Sequence, residues 1–172
     1  MAVDFGIDRV ATARLVGRRP EPGDAAAYAR IFTDARVDEQ AWPEHLRTAG
    51  RADAVLAELI GHWERWGFGP WTVLAAGTPI GYVGLRHADV GGRPEVELMW
   101  FLDADHWGRG YATELAREAV RVAFVVLELD TVVAQTVAAN HASRAVMEKL
   151  GMSYERDTVH AGLPHVLYRL SR

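Results

Sequence analysis

The stretch PEVELMWFLDADHWGRG, Pro94 to Gly110, with the amphipathic run it launches to Leu127, constrains the fold more than any other part of the chain. Glu95, Glu97 and Met99 alternate with Val96, Leu98 and Trp100 before the apolar Phe101 and Leu102. That period of two predicts a mostly buried strand with Glu95 and Glu97 on one face. The turn that follows offers Gly108, Arg109, Gly110, Tyr111, Ala112 and Thr113. Small residues at a helix start let backbone N–H groups crowd around an anion, so this is a phosphate cradle in outline. Beyond it Leu115, Ala119, Val122 and Val126 recur at helical steps, while Glu114, Arg117, Glu118 and Arg121 fall mainly on other faces.

Composition limits the alternatives. A chain of 172 residues, 49% apolar and 24% charged, reads as one globular domain spanning 1–172 and able to bury a sizeable core. The net charge of −4 gives no electrostatic reason to expect a nucleic-acid partner. With no cysteine, disulfides, thiolate metal sites and cysteine nucleophiles are excluded. The opening MAVDFGIDRV carries an acid at Asp4 and no long apolar run, so neither a signal peptide nor a membrane partner is expected, and a cytoplasmic protein is.

Along the chain, Ala11 to Val16 reads as a first strand, and Asp24 as the cap of a helix from Ala25 to about Asp34. The pattern is irregular from Ala35 to Gly50, with Trp42-Pro43 forcing extended backbone. A second helix follows from about Asp53 to Trp66, closed by Gly67 and Gly69-Pro70. Trp71–Ala76 and Ile80–Arg86 form a hairpin around Gly77-Thr78-Pro79, and a glycine turn at 89–94 leads into the Glu95 strand. Thr131–Val137 is β-branched and apolar, a strand parallel to Pro94–Leu102 through a right-handed crossover. Asn140 caps a helix from His141 to Leu150, ended by Gly151, before strands Ser153–Val159 and His165–Leu170 around 161–164.

On these residues the chain resembles the GNAT family of acetyl-CoA-dependent N-acetyltransferases. WGRGYATE is similar to that family's acetyl-CoA loop, whose pattern is Gln or Arg, two variable residues, Gly, one variable residue, then Gly or Ala. Gly110 and Ala112 match, and Trp107 stands at the first position, as in the ribosomal-protein N-terminal acetyltransferase (RimJ/RimL-type) branch. The element order β, α, α, β, β, β, α, β, α, β, β is the family's. The implied fold is α+β (mixed α/β), the GNAT fold, with a central, mostly antiparallel twisted sheet, one parallel strand pair and flanking helices. The motif Asn140-His141-Ala142-Ser143, leading to Lys149-Leu150-Gly151-Met152, resembles the family's second signature beside the thiol end of the coenzyme.

The resemblance implies transfer of an acetyl group from acetyl-CoA to a primary amine, on a protein N-terminus or a small molecule, by direct attack in a ternary complex. CoA is the second product. An amine of pKa about 8 to 10 is largely protonated at neutral pH, so a base must take a proton. Glu97 occupies the family's central-strand glutamate position and Glu95 is the reserve; each equally suits an ion pair with an arginine across the sheet. Backbone groups of Met99, Trp100 and Phe101 are implied to hold the pantetheine and polarise the thioester carbonyl. Trp107, Gly108, Arg109, Gly110, Tyr111, Ala112 and Thr113 are implied at the diphosphate, and Asn140 and Ser143 at the sulfur end. Met147 replaces the tyrosine usual four residues beyond the serine, which leaves Ser143 or water to protonate the thiolate.

The acceptor pocket is expected from the Ala35–Gly50 segment, the end of the second helix and the last hairpin, with Trp42, Trp66, Phe68 and Trp71 as walls or as core. Asp38 or Glu39 would attract a cationic amine. A dinucleotide fold fits poorly, since Thr113 replaces the third glycine and no ribose-binding acid follows the next strand. Asp103, Asp105, Gly108 and Glu114 have calcium-loop spacing, but Trp107 takes a ligand position after a strand. His160 and His165 lack a third metal ligand and read as hairpin side chains, so no metal is expected. The functional alternative is a non-catalytic acyl-CoA-binding or regulatory module. Assembly is open between monomer and homodimer.

Overall fold

The computed structural model describes residues 4–37 and 50–172. Its elements in chain order are β1 (Arg9–Ala11), β2 (Leu15–Arg18), α1 (Ala25–Phe32), α2 (Arg51–Trp66), β3 (Trp71–Ala75), β4 (Thr78–Asp89), β5 (Pro94–Leu102), α3 (Tyr111–Arg121), β6 (Thr131–Thr136), α4 (His141–Lys149), β7 (Ser153–His160) and β8 (Leu163–Ser171). The strands form one sheet in the order β1-β2-β3-β4-β5-β6-β8-β7. Every neighbouring pair is antiparallel except β5 and β6. This is the mixed α/β architecture expected, with the parallel pair where the crossover placed it. No helix among the described residues is long and apolar enough to cross a membrane.

The first strand is where expectation and structure part. Ala11–Val16 is not one strand but the turn of a β1–β2 hairpin, in which Ala11 pairs with Val16. Thr12 makes the reversal: its N–H donates to the Leu15 carbonyl at 2.9 Å, and its Oγ1 accepts from the Leu15 N–H at 3.2 Å. A threonine side chain that closes a turn on its own backbone competes with strand extension, although its β-branch favours strand. Asp24 also departs from its expected role. It makes no side-chain cap to α1; its carboxylate takes two bonds from Arg18 and one each from the Thr72 hydroxyl and the Glu21 N–H.

That cluster ties the start of α1 to β2 and β3, and Asp24 is only 2% exposed. Burial pushes its carboxyl upward, but the Arg18 guanidinium, the Glu21 N–H and the Thr72 hydroxyl outweigh it and hold the group below its ordinary value. A folded-state pKa below the unfolded one contributes stability that is present at neutral pH and lost as pH falls through the folded value. Asp24→Ala is therefore expected to lower stability by about 3–5 kcal/mol, because it strands a half-buried guanidinium. Urea melts from pH 7 down to 3 check this: the deficit should shrink with acid, and a pH-independent loss under 1 kcal/mol would rule the ion pair out as the cause.

Helix α2 forms because Val55, Leu56, Leu59 and Trp63 recur at three- and four-residue steps and all are buried. It stops at Gly67, left-handed at φ 73°, whose N–H returns to the Trp63 carbonyl at 2.9 Å. Tyr28 of α1 and Val55, Leu56 and Leu59 of α2 pack around Tyr82, with Met99 and Phe101 at the margin. On the opposite face, Leu115, Ala116 and Ala119 of α3 meet Val83, Leu85 and Leu98. The register pairs Tyr82 with Phe101 and Val83 with Trp100. Glu95, Glu97, Met99 and Phe101 thus share the α1–α2 face of β5, and Leu98, Trp100 and Leu102 share the α3 face.

Candidate active site

The parallel β5–β6 ladder is registered at a single pair, Glu97 with Val133. Beyond it the β6-facing edge of β5 has no strand partner, so the backbone N–H and C=O groups that point to that edge, on alternate residues of 98–102, are left for another acceptor and donor. A cavity of about 440 Å³ opens there, walled by Leu98 to Leu102 on one side and Gln135, Thr136 and Val137 on the other. Its size is that of a site for a small ligand.

At one end the cavity reaches the start of α3. Gly110 is left-handed at φ 76° and brings no capping side chain, so the N–H groups of the first turn have no partner within the helix. Gly108, at φ 71°, turns the loop the same way. Gly108, Gly110, Tyr111, Ala112 and Thr113 all line the cavity, and the uncapped donors fit a diphosphate. Trp107 pins the loop to the end of β5, its indole N–H donating to the Leu102 carbonyl at 2.8 Å. Asp103 steadies the approach, accepting from the Asp105 N–H at 3.0 Å.

The Thr12–Arg14 turn holds this loop from outside. Glu114 accepts from the Thr12 hydroxyl at 2.6 Å and from Arg14 Nε at 2.7 Å, and Arg14 Nη1 donates to the Arg109 carbonyl at 3.0 Å. The Arg14 guanidinium also lies 4.7 Å from the centre of the Tyr111 ring. The β1–β2 hairpin is therefore the clamp on the cradle. Arg109 contributes its carbonyl to that clamp, and its side chain is not part of the cavity wall.

At the middle, Asn140 caps α4 by accepting the Ser143 N–H at 3.0 Å, which fixes Ser143 at the cavity edge. Ser143 Oγ accepts from the Trp100 indole at 3.3 Å, so its own O–H is left to donate elsewhere. Met147, 1% exposed, lies in the core and offers no proton donor to the cavity.

At the other end stands Glu97, 5% exposed and on the cavity wall. Arg86 places Nε at 2.9 Å and Nη2 at 2.8 Å from the same oxygen, Oε2, and leaves Oε1 without a protein partner among the described residues. Glu95, two residues earlier, is absent from the wall, and both its oxygens are bound by Arg169, at 3.1 and 2.7 Å. Identical residues on one face have thus been given different environments. Glu97 lines the cavity with only Oε2 bound among the described residues, whereas Glu95 is closed in a network with Arg169, Thr131 and Glu155.

Several walls were not anticipated. Tyr82 and Phe101, stacked with ring centres 5.4 Å apart, form the aromatic surface beside Glu97. Trp66, Phe68 and Trp71 are outside the cavity: Trp71 is buried beside Trp63 with its indole on the Ile7 carbonyl, and Trp66 and Phe68 pack on His87. Trp42, Asp38 and Glu39 lie outside the described residues. His160 and His165 both line the cavity, as does His106, whose Nδ1 is buried without a partner among the described residues. In the β7–β8 register Thr158 pairs with His165 and His160 with Leu163, which sets both imidazoles on one face.

Comparison with known proteins agrees with this geometry. Over 94 residues the chain is 37% identical to the FsC-acetyl coenzyme A-N(2)-transacetylase of Aspergillus fumigatus, a match covering 51% of this chain and 40% of that relative's length. Among solved structures, an acetyltransferase from Agrobacterium tumefaciens superposes with a TM-score of 0.83 at 26% identity, over 100% of this chain and 99% of the other. RimJ of Mycobacterium smegmatis, solved in complex with CoA-disulfide, shares the fold with a TM-score of 0.78 at 18% identity, over 99% of this chain and 90% of its own. The family model for the acetyltransferase (GNAT) domain matches residues 14–153, and the chain belongs to that family.

Proposed function

We propose that the chain, as one domain over 1–172, transfers an acetyl group from acetyl-CoA to a primary amine. The observation that carries this reading is the continuity of one cavity from the uncapped turn of α3, through the parted β5–β6 edges, to the free oxygen of Glu97. Acetyl-CoA supplies the activated acetyl group. The N–H groups of 111–113 grip the anionic end, with Trp107 and the Arg14 clamp holding the loop in shape. The exposed edge of Met99, Trp100 and Phe101 takes the amide-bearing arm and gives a preorganised N–H to the reacting carbonyl. Ser143 directs its O–H to the sulfur end, since Met147 cannot.

Glu97 draws in the acceptor. An ionised carboxylate with one oxygen on Arg86 and the other open holds an ammonium or its N–H at Oε1, and Tyr82 and Phe101 cover the adjoining carbon chain. The acceptor is a primary amine on a peptide N-terminus or a small molecule. Glu97→Gln removes the charge and keeps the shape. It is expected to lower kcat/KM for the amine about ten- to hundredfold, the worth of one hydrogen bond to a charged group, and to leave the Kd for acetyl-CoA within about twofold. A thiol-release assay over peptide N-termini, polyamines, aminoglycosides and amino acids, with sedimentation to read monomer against homodimer, tests this. Acetyl-CoA binding without transfer to any amine would instead support the non-catalytic module.

A further inference from the structure

Glu97 accounts for capture of the amine but leaves open where its proton goes. Resting on the acetyl-transfer reading above, we infer that the imidazole of His160 is the group that takes that proton. His160 ends β7 and turns into the same cavity as Glu97. Neither of its ring nitrogens has a hydrogen-bond partner among the described residues, and the side chain is partly buried, so the ring is reachable from the cavity and not committed to the fold. His165 differs: its Nδ1 lies 3.0 Å from the Leu163 carbonyl, which fixes that ring as a donor there. The two rings meet edge to face with centres 5.4 Å apart, and His165 thereby limits how His160 can turn.

The charged and titratable groups facing His160 are Glu97 of β5, His165 of β8, Arg86 of β4 and Arg51 of α2. Burial lowers the affinity of the ring for a proton, Glu97 opposes that, and His165, Arg86 and Arg51 add to it. The imidazole is therefore neutral at pH 7, the form that accepts a proton, while Glu97 stabilises the imidazolium that results. In the step itself the amine nitrogen forms its bond to the acetyl carbon as one N–H proton passes to His160. The carbon–sulfur bond breaks with its electron pair on sulfur, which is protonated through Ser143 or water. His160 then returns its proton to solvent, so the sum is amine plus thioester giving amide plus thiol.

The test compares the wild-type chain with His160→Gln and His160→Ala, using an alanyl peptide amide, spermidine, kanamycin and lysine as acceptors. His160→Gln is expected to reduce kcat on the order of 10²-fold, with the acetyl-CoA Kd and the melting temperature unchanged. The kcat profile of the wild type should carry an acidic limb below pH 6.5 that the variant lacks; the amine's own limb, nearer pH 8 to 10, is common to both. Added imidazole should restore part of the rate to His160→Ala, which a purely structural histidine would not allow. Independently of turnover, the His160 ring signal in NMR should titrate below 6.5. Full rate with the limb retained in His160→Gln would overturn the assignment and leave acetyl transfer standing. A wild type that binds acetyl-CoA and acetylates none of the four amines would overturn both.

Discussion

Gly110→Glu is expected to abolish useful acetyl-CoA binding in a chain that still folds. A Cβ at this position meets nothing nearer than Arg14 Nη2 at 3.6 Å, so the new side chain has room. Its backbone cost, for a residue held at φ 76°, is about 1 to 2 kcal/mol. The charge matters more. It would stand at the mouth of the first turn of α3, where the open N–H groups favour an anion, and there it competes with the diphosphate for the same donors and repels it. Like charges brought together in a binding site cost several kcal/mol, so the Kd should rise about 10²-fold or more. Gly110→Ala serves as the comparison, because it carries the backbone strain without the charge and should lose far less affinity. Titration calorimetry with acetyl-CoA on both variants measures the difference; equal, wild-type affinities would mean that the coenzyme is not held at this turn.

Gly81→Ala should damage the fold and the cavity together. Gly81 of β4 faces Leu102 in register, at φ 133°, a conformation that side chains rarely adopt. An added Cβ would lie 2.0 Å from the Phe101 carbonyl oxygen and 2.9 Å from the Leu102 Cα, and both are backbone atoms that no rotamer change can move. Relief requires β4 and β5 to separate at the point where β5 forms the cavity wall. A loss of about 3 kcal/mol or more is expected, seen as a fall in melting temperature of roughly 6–12 °C, with weaker acetyl-CoA binding at temperatures where the chain remains folded. Gly61→Ala supplies the opposite sign. It lies exposed within α2 with nothing within 4 Å of the new methyl, and it should stabilise by up to about 1 kcal/mol. Thermal melts in which Gly81→Ala matches the wild type would refute the close approach.

Much of the architecture was legible because its signals are local. The strand Pro94–Leu102 follows, with the bounds it has, from an alternation of period two, α2 from apolar spacing closed by a glycine, and α4 from an asparagine cap at its start and a glycine beyond its end. The β1–β2 hairpin was not legible. Thr12 is β-branched and sits among apolar residues, so its propensity argued for strand, and only its hydrogen bonds with Leu15, together with the Glu114 carboxylate waiting on α3, make it a turn. The choice of aromatic wall, open between wall and core, lay beyond the sequence for a similar reason. Trp66, Phe68 and Trp71 follow one another at the end of a helix, but which aromatics face a cavity depends on sheet register, and that selects Tyr82 and Phe101.

The residues by themselves determined the order of the elements from α1 onward, the uncapped glycine turn before α3 and the presence of two glutamates on one face of β5, since periodicity and backbone permissiveness act over a few neighbours. Only the tertiary structure separated those glutamates and recruited the histidines. Arg169 comes from β8 to close Glu95, Arg86 comes from β4 to hold one oxygen of Glu97, and the parallel ladder ends beside Glu97 and nowhere else. Partners that distant in the chain are chosen by strand order and by the place where two strands part, and no local pattern of side chains encodes either.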